Sequence, residues 1–208
     1  MTTEDYNSRI KALLSANELD VSGIADMSLY TKDLIGLDPA LKSQLPRAIV
    51  FGLALSKGVL GTVLDGPNQL YLHHYRQLNY RLDIIAYKLS REIEGQGFKA
   101  MPFPASQVID WQKQQGHISH KHIGVLAGVG WIGRNNLLVN PVFGSYMRYN
   151  TVLTDMPLVA DKPEDQDCGA CNACIHVCPA AAIAETAELF AHMRCYEMLS
   201  RFRKERNI

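Results

Sequence analysis

The chain has 208 residues, 47% of them hydrophobic, with 21 Lys plus Arg balanced by 21 Asp plus Glu. That size allows one generous domain or a domain with a small appendage. A formal charge of zero argues against a strongly electrostatic nucleic-acid or membrane partner, and no stretch has the length and apolarity of a membrane span.

The elements follow in chain order. The opening MTTEDYNSRIKALLSANELD has early acids and no apolar core of a signal peptide. Its residues 4 to 18 read as a helix with Ile10, Leu13 and Leu14 on one face. Val21 to Ala25 is a short apolar piece suited to a sheet. Residues 30 to 46 read as irregular, punctuated by Gly36, Pro39 and Pro46. Arg47 to Ser56, a nearly continuous apolar run, predicts a buried strand. Residues 58 to 68 read as a loop. Residues 70 to 94 predict the longest helix, with Leu78, Leu82, Ile85, Leu89 and Ile93 recurring every three or four positions. Phe98 to Phe103 reads as a second strand, and residues 106 to 115 as a short helix. Ser119 is a plausible N-cap for a helix ending at Gly128. Leu137 to Val139 and Ser145 to Leu153 predict a hairpin around Asn140-Pro-Val-Phe-Gly144. The polar stretch from Asp155 to Asp167 is the best domain boundary. A last helix is expected from about Thr186 to Lys204.

Four of the five cysteines, Cys168, Cys171, Cys174 and Cys178, fall within eleven residues, in the spacing C-x2-C-x2-C-x3-C followed by Pro179. This is the run that bacterial ferredoxins use for [4Fe–4S] clusters. Soft thiolates suit such clusters, and small Gly169, Ala170 and Ala173 let the backbone come close. Disulfide scaffolds are short, secreted and rich in cysteine throughout, which this chain is not. Zinc sites usually split their ligands into two distant pairs. Beside such a run, Cys195 reads as a further ligand. Reduced thiolate chemistry leads us to expect a cytoplasmic protein.

Gly128-Val-Gly130-Trp131-Ile-Gly133 matches G-x-G-x-x-G, but a helix precedes it where a dinucleotide site requires a strand. Its glycines suit a turn of positive φ, or a backbone that approaches a planar ligand with Trp131 nearby. His117, His120 and His122 are unusually dense and are candidates for touching a ligand or substrate. His73 and His74 read as ordinary helix residues. Tyr146 is a candidate proton donor.

Leu126-Ala-Gly-Val-Gly-Trp-Ile-Gly-Arg-Asn135, then Phe143-Gly-Ser-Tyr146, then Leu153-Thr-Asp-Met-Pro157, then the cysteine run, together resemble the epoxyqueuosine reductase family. The order is also similar to that of corrinoid reductive dehalogenases. The resemblance implies an α+β chain: a nitroreductase-like α/β sandwich over residues 1–158 that holds cobalamin, then a ferredoxin-like [4Fe–4S] module over 159–208. It implies single electrons passed from cluster to corrin, with a small ferredoxin- or flavodoxin-type donor. Gly128, Gly130, Trp131, Gly133 and Asn135 would lie near the cofactor, with His117, His120 or Tyr146 as proton donor. Cys168, Cys171 and Cys174 would serve one cluster, Cys178 and Cys195 another. The family's second cysteine run has no counterpart, so five thiolates stand where two clusters need eight; the sequence is a fragment or holds one cluster. The acid that the reductases place upstream of the Gly-Trp turn is also absent, in Gln114-Gln-Gly-His117-Ile-Ser-His120-Lys121. Binding of nucleic acid is therefore not expected. The rival expectations are an electron-transfer or cluster-carrying protein without cobalamin, and a flavin in place of the corrin.

Overall fold

A computed structural model describes residues 2–208. Its centre is a four-stranded antiparallel sheet in the order β1-β2-β6-β3. Chain order gives α1 (Thr3–Ala16), β1 (Val21–Asp26), α2 (Leu41–Gln44), β2 (Arg47–Ala54), α3 (Lys57–Leu60), α4 (Gln69–Gly95) and β3 (Ala100–Pro102). Then come α5 (His120–Leu126), β4 (Trp131–Ile132), β5 (Leu138–Val139), β6 (Met147–Thr154), α6 (Ala173–Val177) and α7 (His192–Arg206).

The apolar run of β2 explains the layering. Side chains alternate across a strand, so Ile49, Phe51 and Leu53 pack on one face with α1 and α4. Ala48 and Val50 pack on the other with α5 and the loops around it. Both faces are covered, which is why the strand reads as continuous rather than alternating. Helix α4 presents Leu82, Ile85, Leu89 and Ile93 to the first face. Asn68 starts it by accepting a hydrogen bond from the Tyr71 amide at 2.9 Å. Past the sheet, Asp161 bonds β1 through both its amide and its carboxylate, at 2.7 and 2.8 Å to the Ile24 carbonyl and amide. That covers an edge strand otherwise open to pairing.

Several expectations are corrected. Strand β5 pairs with β4, not with residues 145–153, and β6 lies between β2 and β3. Eight-residue β6 is almost wholly buried and fills its ladder in the main sheet. The turn alone is as expected, closed by two 2.8 Å backbone bonds between Asn140 and Gly144. Residues 106–115 form no helix: the Asp110 carboxylate accepts from the amides of Gln112 and Lys113, and Asp110 bridges to Gln115. Short polar side chains compete with helical bonding in this way. The last helix starts at His192, after a separate 3₁₀ turn at Ala187–Leu189. Short helices occupy Leu41–Gln44 and Lys57–Leu60, where irregular chain and loop were expected. No helix among the described residues is long and apolar enough to cross a membrane.

Leu89 is fully buried, whereas Ile84 on the same helix is 56% exposed. Leu89→Ala is expected to cost about 2–5 kcal/mol in urea denaturation, and Ile84→Ala about 0.5 kcal/mol or less. Equal costs would contradict the assignment of the buried face.

Candidate functional site

The turn after β4 is where the cysteine segment meets the sheet domain. Arg134 donates to three carbonyls of that segment: Glu185 at 2.7 Å, Gly169 at 2.9 Å and Cys171. A Cβ built on Gly133 would stand 2.6 Å from Val139 Cγ2 and 3.6 Å from Cys168 Sγ. The tight contact is with Val139 across the β4–β5 pair, and the contact with Cys168 is an ordinary one.

All five cysteines are free thiols; Cys171 is exposed and the other four are partly buried. Cys178 Sγ accepts the Ala182 amide at 3.4 Å. The Ala182 carbonyl in turn accepts the Ala191 amide at 2.8 Å, which brings the start of α7 beside the Cys178 loop. Desolvation raises the Cys195 thiol above its ordinary range, and the nearby Cys178 adds to the rise. Cys178 and Cys195 are thus neighbours across α7. Among the described residues no group of three or more His, Cys, Asp or Glu is placed to hold a metal ion. The donor set fits a cluster in its chemistry, as soft, undisulfided thiols on a loop fastened to the domain.

Beside this segment opens a cavity of about 1090 Å³, within the range of sites for large ligands. The loop Tyr30–Ile35, residues 113–117, α5 and the start of β6 form its walls. The fourth side comes from Ala187, Glu188 and His192, and His192 precedes Cys195 by about one helical turn. A smaller pocket of about 140 Å³ adjoins it and shares His117 and His120.

The predicted site residues fall in three places. His117 and His120 line the cavity. His117 Nδ1 donates to the Ile35 carbonyl at 2.8 Å, leaving Nε2 without a protein partner among the described residues. His120 is fully engaged: Nε2 donates to the Pro104 carbonyl at 3.0 Å, so Nδ1 accepts from the Thr151 hydroxyl at 2.8 Å. Desolvation pulls its pKa down to about 4. It is therefore neutral near pH 7 and holds its neighbours in place, with no free proton to give. Tyr146 is outside the cavity wall; its ring packs edge-on against Phe143 and its carbonyl accepts the Leu55 amide.

Gly128, Gly130, Trp131, Gly133 and Asn135 are also absent from the cavity wall, although their neighbours Ile132 and Asn136 belong to it. A Cβ at Gly128 would meet the Lys162 carbonyl at 2.5 Å, and one at Gly130 the Val139 carbonyl at 1.9 Å. At these two glycines the space beside the α-carbon is taken by the chain's own backbone. Asn135 bonds the Ser145 hydroxyl and the Leu137 amide. The Trp131 indole N–H is buried with no acceptor.

The sequence makes His122 a candidate alongside His117 and His120, and the cavity also holds Lys121 and Arg148, which it does not single out as site residues. The Lys121 ammonium donates to the Asn136 carbonyl at 2.7 Å and to its side-chain oxygen. Desolvation, then Lys32, lowers it to about 8. His122 Nδ1 lies 2.6 Å from the Ser119 hydroxyl, the bond that replaces the expected helix cap. Desolvation, then Lys32 and Lys121, lowers it to about 4. Arg148 donates to Asn79 Oδ1 at 2.9 Å and to the Ala105 carbonyl at 3.2 Å, and stacks 4.4 Å above Tyr75. The run His-Ile-Ser-His-Lys-His was the signal for the first two; Arg148 gave none beyond its place in a strand.

No protein-family model matches the chain. Over 149 residues it is 32% identical to the epoxyqueuosine reductase of Pseudomonas aeruginosa, a match covering 68% of this chain and 38% of that enzyme. The Aliivibrio fischeri enzyme is 31% identical over 144 residues, covering 66% and 36%. The chain is a homologue of the epoxyqueuosine reductases. It spans less than two fifths of the length of these relatives. Its fold is similar to that of a catabolic reductive dehalogenase, with a TM-score of 0.69 at 20% identity, covering 85% of this chain and 25% of that one. An epoxyqueuosine reductase structure matches with a TM-score of 0.65 at 16% identity, covering 98% and 62%. The mixed α/β architecture is thus shared with both.

The lowered pKa of His120 fixes a pH dependence. Between about 4 and the ordinary value of 6.5 the unfolded chain binds a proton that the folded chain does not, so stability falls as pH falls through that window. Thermal unfolding followed from pH 7 to pH 4 is expected to show this loss, and His120→Gln to show less of it. An unchanged slope in the variant would remove His120 as its source.

Proposed function

We propose that this chain is a reductase of the epoxyqueuosine-reductase kind, with a cysteine module supplying single electrons to a substrate held in the cavity. The supporting observation is that Glu188 and His192 form one cavity wall while Cys195 follows about one turn later on the same helix. On this reading residues 1–158 are the nitroreductase-like domain and residues 159–208 the ferredoxin-like module, in a cytoplasmic protein. Cys168, Cys171 and Cys174 would hold one [4Fe–4S] cluster, and Cys178 with Cys195 would serve a second. A bound cluster supplies low-potential single electrons.

The chain's own residues then have distinct tasks. Arg134 holds the cysteine loop against the domain. His117, with Nε2 free, is the group that moves a proton to or from substrate. His120 stays neutral and braces β6 against the Pro104 loop. Exposed Cys171 marks the face where a ferredoxin- or flavodoxin-type donor would approach.

The cavity lining does not match the residues expected around cobalamin. Gly128, Gly130, Trp131, Gly133 and Asn135 are absent from the wall, and at Gly128 and Gly130 the chain's own carbonyls stand beside the α-carbon. No step is assigned to a corrin. The same observation favours a second reading: a cluster-carrying electron-transfer protein without cobalamin.

Anaerobic purification is expected to yield a brown protein with about four irons per complete cubane. Cys195→Ser should lower the iron content, and a zinc-loaded colourless protein would overturn the reading. Gel filtration after incubation with cobalamin separates the two functions: co-eluting corrin supports the reductase with cobalamin, and its absence supports the carrier.

A further inference from the structure

We infer that the large cavity selects an organic anion, a carboxylate or phosphate ester, with Lys121 and Arg148 as its charge anchors. This rests on reading the cavity as the substrate site. Lys32, Lys113, Lys121 and Arg148 line it, against only Asp33 and Glu188. The chain as a whole is neutral, so this excess is local. Five ion pairs occur among the described residues, and none involves any of these four cations.

Lys121 and Arg148 are held entirely by neutral acceptors. Lys121 has the two oxygens of Asn136. Arg148 has Asn79, the Ala105 carbonyl and the face of Tyr75. Both are partly buried. A desolvated cation without a counter-ion lowers stability, because its lost hydration is not replaced by an opposite charge. Here the fixing bonds orient two such cations and leave their charge uncompensated. Lys32 and Lys121 also lie close enough to act together on His122. An anion entering the cavity supplies the missing charge, and Arg148 can meet a carboxylate or phosphate in bidentate fashion. Apolar Ile35, Ile132, Leu138 and Met147 share the wall, which suits an anion with an apolar body.

The test is calorimetric titration of the full chain, purified anaerobically, with benzoate, phenyl phosphate and neutral benzamide at constant ionic strength. Benzoate or phenyl phosphate should bind at least about tenfold more tightly than benzamide, a difference of about 1.4 kcal/mol. Lys121→Met should weaken anion binding about tenfold without lowering the melting temperature, since it removes an uncompensated charge. Lys11→Met, on exposed α1, should change neither. Arg148→Gln gives a second reading where its circular dichroism matches wild type. Equal binding of benzamide and benzoate overturns the inference, as does wild-type anion affinity in Lys121→Met. Iron is counted on the same preparations. Iron without selective anion binding overturns this inference and leaves the reductase reading standing; anion binding without iron supports the inference and overturns that reading.

Discussion

The arrangement depends on one side chain, Arg134, bonded to the carbonyls of Gly169, Cys171 and Glu185. A stretch with no regular element separates β6 from the cysteines, and α6 is only five residues long. Little burial fixes such a segment, so its position is set by a few hydrogen bonds. A guanidinium has five donors in a rigid fork, which lets one residue gather two carbonyls of the cysteine loop and a third some fourteen residues on. Gly133 lies beside Cys168, where a Cβ would stand in ordinary contact at 3.6 Å from its sulfur. The Gly-Trp turn and the cysteine run are therefore one structural unit, although more than thirty residues separate them.

From that fastening the site follows. The cysteine segment, once held, carries Ala187, Glu188 and His192 to the open side of the cavity. The opposite walls come from the sheet domain, where β6 contributes Met147, Arg148 and Tyr149 and α5 contributes His120, Lys121 and His122. His120 joins these elements to the Pro104 loop through two hydrogen bonds, and burial keeps it neutral while it does so. The cavity is thus bounded by the sheet domain on three sides and by the cysteine segment on the fourth.

Much of this was legible in the sequence, where periodicity and apolar runs are strong. Helix α4, strand β2, the Asn140–Gly144 turn and the cysteine spacing follow directly from residue pattern. Pairing was not legible: the two-residue β5 carries too little pattern to choose between β4 and β6, and burial on both faces decided in favour of the main sheet for β6. The Asp110 turn hid inside a stretch whose composition suits a helix. The glycines of the Gly-Trp motif were visible, but a glycine looks the same whether a ligand or the chain's own carbonyl fills the space beside it. At Gly128 and Gly130 it is the carbonyl. Arg148 was invisible because its role comes from Asn79 and Tyr75, some seventy residues away.

The central claim is that Arg134 seats a cluster-bearing cysteine module against the cavity. Low-temperature electron paramagnetic resonance of the dithionite-reduced full chain, wild type beside Arg134→Ala, tests it most directly. The account predicts a reduced-cluster spectrum in wild type, and its loss or broadening in the variant while circular dichroism of the sheet domain is unchanged. No cluster spectrum in wild type, or identical spectra in the two proteins, would contradict it.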